Sequence, residues 1–283
     1  MVSSDNFNRK EGFLKTLEDL QEAEQNSDTE GFQKFIESDC DVDDIEEVEF
    51  KPIEAIVAFI DILGTSALMK SLSGNNAGEI ISKILGIKEI FKRHFNALEK
   101  EYDSSNLMVI SDSYVISIEK KADAFEALLK MLAACQYECL IEHGEVLRGG
   151  ISAGAIISGH KDNSAIIGPA FINAHELEAK NVIYPRIVID ENILNDTTLF
   201  TDNLPIISDK DGLMYLDFAT TEKFDIETMY AKIQAGCQIN SPSNLKVRQK
   251  WNWLSTFVEQ KKKKCLNCCK EQKQRYAGGS YEF

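Results

Sequence analysis

The run Ala55-Ile-Val-Ala-Phe-Ile60 is the strongest apolar stretch in this 283-residue chain, and Asp61 closes it. A membrane-crossing helix needs roughly 18 to 20 apolar residues, so a run this short reads as a buried β-strand. It ends at Gly64-Thr65-Ser66, which signals a turn and leaves a carboxylate at the strand end. With 43% hydrophobic and 27% charged residues, the chain has the make-up of a folded protein with a sizeable core. No membrane span is expected. The opening residues Met-Val-Ser-Ser-Asp-Asn-Phe lack the basic and apolar regions of a secretory signal, so a cytoplasmic location is expected.

The net charge of −15 is unevenly spread. Residues 1–50 hold 16 acids and 4 bases, whereas Lys261 to Arg275 hold 7 bases and 1 acid. So acidic a chain lacks the phosphate-neutralising surface on which nucleic-acid affinity depends, and no nucleic-acid partner is expected. A small anionic ligand stays open where a metal or local donors offset the field. The four lysines 261–264 read as a solvated tail able to pair with the acidic extension. The seven cysteines are odd in number and scattered, so reduced thiols are expected. Cys265-Leu-Asn-Cys268 lacks the second pair that a structural zinc site needs. Asp39, Asp41 and Asp43 have the spacing of a calcium loop, but Asp44 stands where its glycine belongs and Phe50 where its glutamate belongs.

The chain divides into a partly helical acidic extension (1–50), a main domain (51–220), late helices with a basic tail (221–275) and a frayed terminus (276–283). After the strand ending at Ile62, apolar residues at helical spacing from Ala77 to Tyr102 predict one long amphipathic helix. Leu107–Ile110 and Tyr114–Ile118 predict a hairpin around Ser111-Asp112-Ser113. A helix over Ala122–His143 and a strand over Leu147–Ile157 follow. The next expected elements are a strand within Ser164–Ala170, a helix over Ile172–Asn181, and strands at Pro185–Ile189 and Leu213–Phe218. Helices over Ile226–Ala235 and Asn244–Gln260 would complete the fold or form a dimer interface. The β-α-β-β-α-β order predicts an α+β, ferredoxin-like domain with an antiparallel central sheet and helices on one face.

Asp61 and Asp112 carry the chemical interest. Each ends or turns a predicted strand, and two aspartates at neighbouring strand ends suit two divalent ions clamping a phosphoryl group. Mg²⁺ or Mn²⁺ fits oxygen ligands of this kind. Taken singly, such an aspartate is more often a helix cap or turn residue.

Four blocks, Phe59-Ile-Asp-Ile-Leu-Gly-Thr65, Ile110-Ser-Asp-Ser-Tyr114, Leu147-Arg-Gly-Gly-Ile-Ser-Ala-Gly154 and Gly168-Pro-Ala-Phe-Ile-Asn-Ala-His-Glu-Leu-Glu178, together resemble the class III nucleotidyl cyclase domain over about residues 52–190. The resemblance implies a homodimer with active sites at its interface and two metal ions (Mn²⁺ or Mg²⁺) per site. The reaction it implies is attack of a ribose 3′-hydroxyl on the α-phosphate, with pyrophosphate leaving. It assigns Asp61, Asp112 and the Ile62 carbonyl to the metals, and Leu63, Gly64, Thr65 and Ser66 to the β- and γ-phosphates.

The chain departs from the purine cyclases at several points. Met108 and Ala165 stand where those enzymes read the base, Ile172 where a ribose-orienting Asn belongs, and Glu176 where the transition-state Arg belongs. Arg148-Gly-Gly-Ile-Ser, Gly168-Pro-Ala, Ala174-His-Glu-Leu-Glu178, Tyr184-Pro-Arg-Ile187 and Trp253-Leu254 resemble the pyrimidine cyclases of bacterial antiphage Pycsar systems. That implies UTP or CTP as substrate and a cyclic-nucleotide-activated effector encoded nearby. Asn106, Ser164 and Tyr114 are candidates to read the pyrimidine edge. Arg148 and Arg186 are candidate replacements for the missing cation, the alternatives being a strand-end surface charge for Arg148 and an ion pair with Glu176 or Glu178 for Arg186. His143, His160 and His175 lack the partners of a catalytic triad. The alternatives are an adenylate or guanylate cyclase with an unusual pocket, and a nucleotide-binding regulator without turnover.

Overall fold

The computed structural model describes residues 51–70, 72–158, 165–221, 224–240 and 245–277. The expectations for the acidic extension with Asp39, Asp41 and Asp43, for Ser164 and His160, and for the frayed end at 278–283 lie outside the described residues.

The apolar run forms β1 (Ile53–Ile62), buried from Ala55 to Ile60. A short helix α1 (Thr65–Lys70) follows, then the long helix α2 (Ala77–Glu101) and the hairpin β2 (Asn106–Ile110) and β3 (Ser113–Glu119). Helix α3 (Ala122–Glu138) runs into a π-helical turn at Cys139–His143, and β4 (Leu147–Ser158) comes next. These elements set the strands in the order β2-β3-β1-β4, every neighbour antiparallel. This is the ferredoxin-like arrangement that the element order predicts.

The sheet then grows beyond β4. A two-residue strand β5 (Ile166–Ile167), helix α4 (Pro169–Asn181) and β6 (Ile187–Ile189) follow, with β6 parallel to β4. Short helix α5 (Glu191–Leu194) leads to the hairpin of β7 (Ile206–Ser208) and β8 (Met214–Leu216), which extends the order to β6-β8-β7. Strand β7 has no counterpart in the sequence expectation, because three residues are too few to show a period. Helix α4 starts three residues before the expected Ile172, with Pro169 in its first turn, where proline's fixed φ suits a helix and its missing N–H costs nothing.

The helices occupy both faces of the sheet, which corrects the expectation of one. Ile56, Ala58, Ile60 and Ile62 of β1 join a core with α2 and α3, while Ala55, Val57 and Phe59 pack with Ala170 and Ala174 of α4. The physical reason lies in the run itself: a strand apolar at odd and even positions alike needs cover on both sides. Helix α4 comes in close because β4 carries Gly150 beneath it, where a Cβ would stand 2.4 Å from the Ala174 carbonyl oxygen. The Arg148-Gly-Gly motif therefore has a packing function.

Helices α6 (Ile226–Asn240) and α7 (Leu245–Ala277) insert Met229, Ile233, Trp251, Leu254, Phe257 and Val258 into the same core as α2 and α3. Lys261 pairs with Asp217, and Lys262 lies 2.6 Å from Glu227, so the first two lysines of the basic run brace the fold instead of forming a tail. Among the described residues, no helix is long and apolar enough to cross a membrane.

Candidate active site

The strand register sets Asp61 opposite Ser113 of β3 on one side and opposite Arg148 of β4 on the other. The tight Ser111-Asp112 turn, with Ser111 at φ 56°, brings Asp112 next to Ser113 and half-buries it. Ser113 Oγ makes a long contact of 3.4 Å to Asp61 Oδ1. Arg148 takes the other oxygen: its Nε and Nη2 each donate to Asp61 Oδ2 at 3.1 Å. Its Nη1 donates to the Val182 carbonyl at 3.4 Å, and its Nε also lies 2.6 Å from Glu178 Oε1.

Glu178 hangs from α4 and is only 4% exposed. Burial pushes its carboxyl above the ordinary glutamate value, and the Arg148 guanidinium offsets only part of the rise. Asp61 behaves alike: burial raises it, Arg148 pulls it down, and the nearby charge of Asp112 raises it further. A carboxylate pushed up by burial and by a second carboxylate is one that a divalent cation would relieve.

The donors suit such a cation. Asp61 Oδ1, the Asp112 carboxylate and the Ile62 carbonyl are all hard oxygen ligands, as Mg²⁺ and Mn²⁺ prefer. The Ile62 carbonyl already accepts the Thr65 hydroxyl at 2.9 Å, and one of its two lone pairs remains. Among the described residues, no three His, Cys, Asp or Glu side chains converge, so waters and substrate oxygens would complete the shell, the usual arrangement for Mg²⁺.

Two donors of the expected phosphate loop have partners within the protein. The Leu63 N–H donates to the Val146 carbonyl at 2.9 Å, and the buried Thr65 hydroxyl donates to the Ile62 carbonyl. The remaining amide donors are those of Gly64, at φ 98°, Thr65 and Ser66, where the chain turns into α1.

Asn106 and Met108 stand on the face of β2 that continues the Asp61 face, since Asn106 pairs with Ser117 and Met108 with Val115. Met108 packs against the Phe59 and Val115 cluster. Asn106 Nδ2 donates to Ser158 Oγ at 3.1 Å, and Ser158 pairs with Ile166, which brings Ala165 alongside. Asn106, Met108 and Ala165 thus gather at one end of the face and the two aspartates at the other.

Tyr114 is not part of this group. It points to the opposite face, 2% exposed, and stacks on Phe91 with ring centroids 3.9 Å apart. Arg186 is also withdrawn: it is 1% exposed and forms ion pairs with Asp209 and Asp211, beneath Tyr184, Tyr215 and Trp253. Its acid partners are therefore not Glu176 or Glu178. Glu176 pairs with Lys180 at 2.9 Å on the exposed side of α4. His175 sets its edge on Phe59 at 4.8 Å, and His143 lies against Gly86.

Sequence reasoning gave no place in the site to two residues here. Glu178 carried a signal, a carboxylate on the side of α4 that bears Ala170 and Ala174, where a charge needs a buried partner. Lys250 of α7 is the other. Burial, and next the charge of Arg148, hold its ammonium below the usual lysine range, with Asp61 and Glu178 acting in the opposite sense.

No protein-family model matches the chain, and no curated protein matches it. Among solved structures it is similar to a bacterial light-regulated adenylyl cyclase, at 20% identity and TM-score 0.43 over 60% of this chain and 92% of that one. It is similar to the adenylyl cyclase CyaB from P. aeruginosa, at 16% identity and TM-score 0.44 over 59% of this chain and 94% of that one. It is also similar to the guanylyl cyclase Cya2, at 11% identity and TM-score 0.41 over 61% of this chain and 95% of that one.

Proposed function

We propose that this chain is a class III nucleotide cyclase acting on a pyrimidine, converting UTP or CTP to 3′,5′-cyclic UMP or cyclic CMP and pyrophosphate, with uracil the preferred base. The observation that carries the reading is the register setting Asp61 beside Ser113, so that the carboxylates of Asp61 and Asp112 share one end of the sheet face. Two divalent ions, Mn²⁺ or Mg²⁺, would neutralise phosphate charge there and make the 3′-hydroxyl a better nucleophile.

The chain's own residues supply positioning. Arg148 fixes the Asp61 carboxylate by Oδ2 and turns Oδ1 toward Ser113. The amides of Gly64, Thr65 and Ser66 face the leaving phosphates. Met108 narrows the base pocket to a pyrimidine, and Asn106, two residues before it on the same face of β2, is the candidate to read its edge. Ile110 of β2, Ile167 of β5 and Ile172 of α4 are exposed large apolar residues that a second copy would cover, consistent with a homodimer. The sequence resemblance adds a role in antiphage defence, with a cyclic-nucleotide-activated effector as partner.

One observation favours a second reading, a nucleotide-binding regulator without turnover: Arg148 and the Leu63 amide are already bonded within the protein. The test is incubation with equimolar ATP, GTP, CTP and UTP plus Mn²⁺, with mass identification of products and a pyrophosphate assay. One cyclic pyrimidine supports the proposal. A cyclic purine moves the assignment to an adenylate or guanylate cyclase, and tight nucleotide binding with no pyrophosphate release establishes the regulator.

A further inference from the structure

Among the described residues, neither of the two candidate arginines is free to meet a triphosphate. Arg148 commits Nε and Nη2 to Asp61, places Nε against Glu178 and gives Nη1 to Val182. Arg186 is locked away by Asp209 and Asp211. The position expected to bear an arginine holds Glu176, itself paired with Lys180.

Helix α7 fills the gap from an unexpected quarter. Trp253 anchors it beside the site: its ring stacks on Tyr184 at 5.8 Å and 9°, and its Nε1 donates to Asp209 at 2.8 Å. Tyr184 lies two residues after Val182, whose carbonyl receives Arg148, so this stack holds α7 against the segment that borders the guanidinium. Lys250 precedes Trp253 by nearly one turn and therefore projects from a similar side of the helix. The charged groups around its ammonium are Arg148 of β4, Asp61 of β1, Glu178 of α4 and Lys246 of α7. Among the described residues the Lys250 ammonium makes no hydrogen bond or ion pair.

We propose that Lys250 is a phosphate-binding residue of the site, supplied in cis by the late helix, and that it meets the leaving pyrophosphate part of the substrate. The inference rests on the nucleotide-cyclase reading for its substrate, but not for its anion. The half-buried ammonium shares two carboxylates with the Arg148 guanidinium and the Lys246 ammonium, so positive charge is in excess around it and an anion is the group that it lacks. An incoming metal would draw on Asp61 and leave Lys250 to pair with phosphate oxygens. A lysine acts there as a mobile point charge, which suits a group whose charge grows as pyrophosphate departs.

The experiment compares the full-length wild type with Lys250→Gln and Lys250→Arg. Binding of Mn²⁺ alone and of tripolyphosphate in the presence of Mn²⁺ is measured by calorimetry, alongside thermal unfolding. The expected result is tripolyphosphate binding weakened tenfold or more in Lys250→Gln and less than threefold in Lys250→Arg, with Mn²⁺ binding alone unchanged in both. Equal tripolyphosphate affinity in wild type and Lys250→Gln overturns the proposal and leaves Lys250 a charge-balancing residue. A wild type that binds no tripolyphosphate also overturns it. Cyclic-nucleotide formation is followed in parallel, so that Lys250-dependent binding without any product fails the cyclase reading alone, and product with Lys250-independent binding fails this one alone.

Discussion

Arg148 grips Asp61 by one oxygen only: Nε and Nη2 both point at Oδ2, at 3.1 Å, and Oδ1 keeps just the long contact to Ser113. The arginine therefore orients the carboxylate without using the oxygen on the Ser113 side. Its own position is fixed in turn by Glu178 and the Val182 carbonyl.

Asp61→Asn and Asp112→Asn should each lower turnover by a thousandfold or more and weaken Mn²⁺ binding. The fold should survive. In the Asp61→Asn variant the amide oxygen would keep a hydrogen-bond acceptor for Arg148 and the cost of a buried charge would be relieved, so its melting temperature should equal or exceed that of the wild type. Calorimetric Mn²⁺ titration and thermal unfolding check both halves, and an undiminished rate in either variant would remove the metal assignment.

Glu178→Gln tests the relay behind Asp61. Without the carboxylate, Arg148 loses its second anionic partner and has more freedom to rotate away from Asp61. Activity should fall about tenfold to a hundredfold, the range seen when groups that orient metal ligands are lost. The fall should appear mainly in kcat and in the apparent affinity for Mn²⁺. Arg148→Lys should behave similarly, because an ammonium does not reproduce the fork.

Gly150→Ala should destabilise the protein by about 1–3 kcal/mol, the usual cost of overpacking. The new methyl would stand 2.4 Å from the Ala174 carbonyl oxygen and push α4 off β4. Since α4 carries Glu178, the variant should lose activity at temperatures well below its melting point. Gly74→Ala is the control, because nothing lies within 4 Å of a Cβ there.

Acid should weaken the fold through Glu138. Burial raises its carboxyl, but hydrogen bonds from His94 and Arg93 outweigh that and hold it below the ordinary value of 4.5. A depressed carboxyl contributes stability above the unfolded value and loses it as pH falls through the folded one. Urea unfolding of wild type and Glu138→Gln should therefore differ most at neutral pH and converge as pH falls through the depressed folded-state value.

Ile110→Asp combined with Ile172→Asp should convert a dimer to a monomer in sedimentation experiments, at little cost to folding. Both side chains are exposed in the single chain, at 44% and 54%. A variant that still sediments as the wild type would place the partner's contact elsewhere.

Much of the architecture was legible in the sequence because it rests on long periodic segments. The buried run of β1, the amphipathic α2 and the hairpin around Ser111-Asp112 all appear close to their expected bounds. The cover on both sheet faces was legible as well, in the unbroken apolar parity of Ala55–Ile60, but the element order alone pointed to one face. Of the site, the two aspartates could be named because they end strands. Glu178 and Lys250 lie on helices far along the chain, and no spacing rule links them to Asp61. The spent amide of Leu63 depends on where β4 begins to pair with the end of β1, a matter of tertiary register that local sequence does not encode.

The parallel pairing of β4 with β6 has a consequence for how the protein is born. Arg148 is 87 residues from Asp61, and Glu178 reaches them only after α4 has crossed between the two parallel strands. Contacts so distant in sequence form slowly, because a large loop must close before any of them is rewarded. A nascent chain that has emerged only as far as the β2–β3 hairpin already holds both aspartates, yet it lacks the arginine that aims the first. Charge-bearing intermediates of this kind would expose the uncovered faces of β1 to other chains. The competence of the site should therefore lag behind the appearance of secondary structure in refolding experiments, and the delay should shorten when α4 is made more stable in isolation.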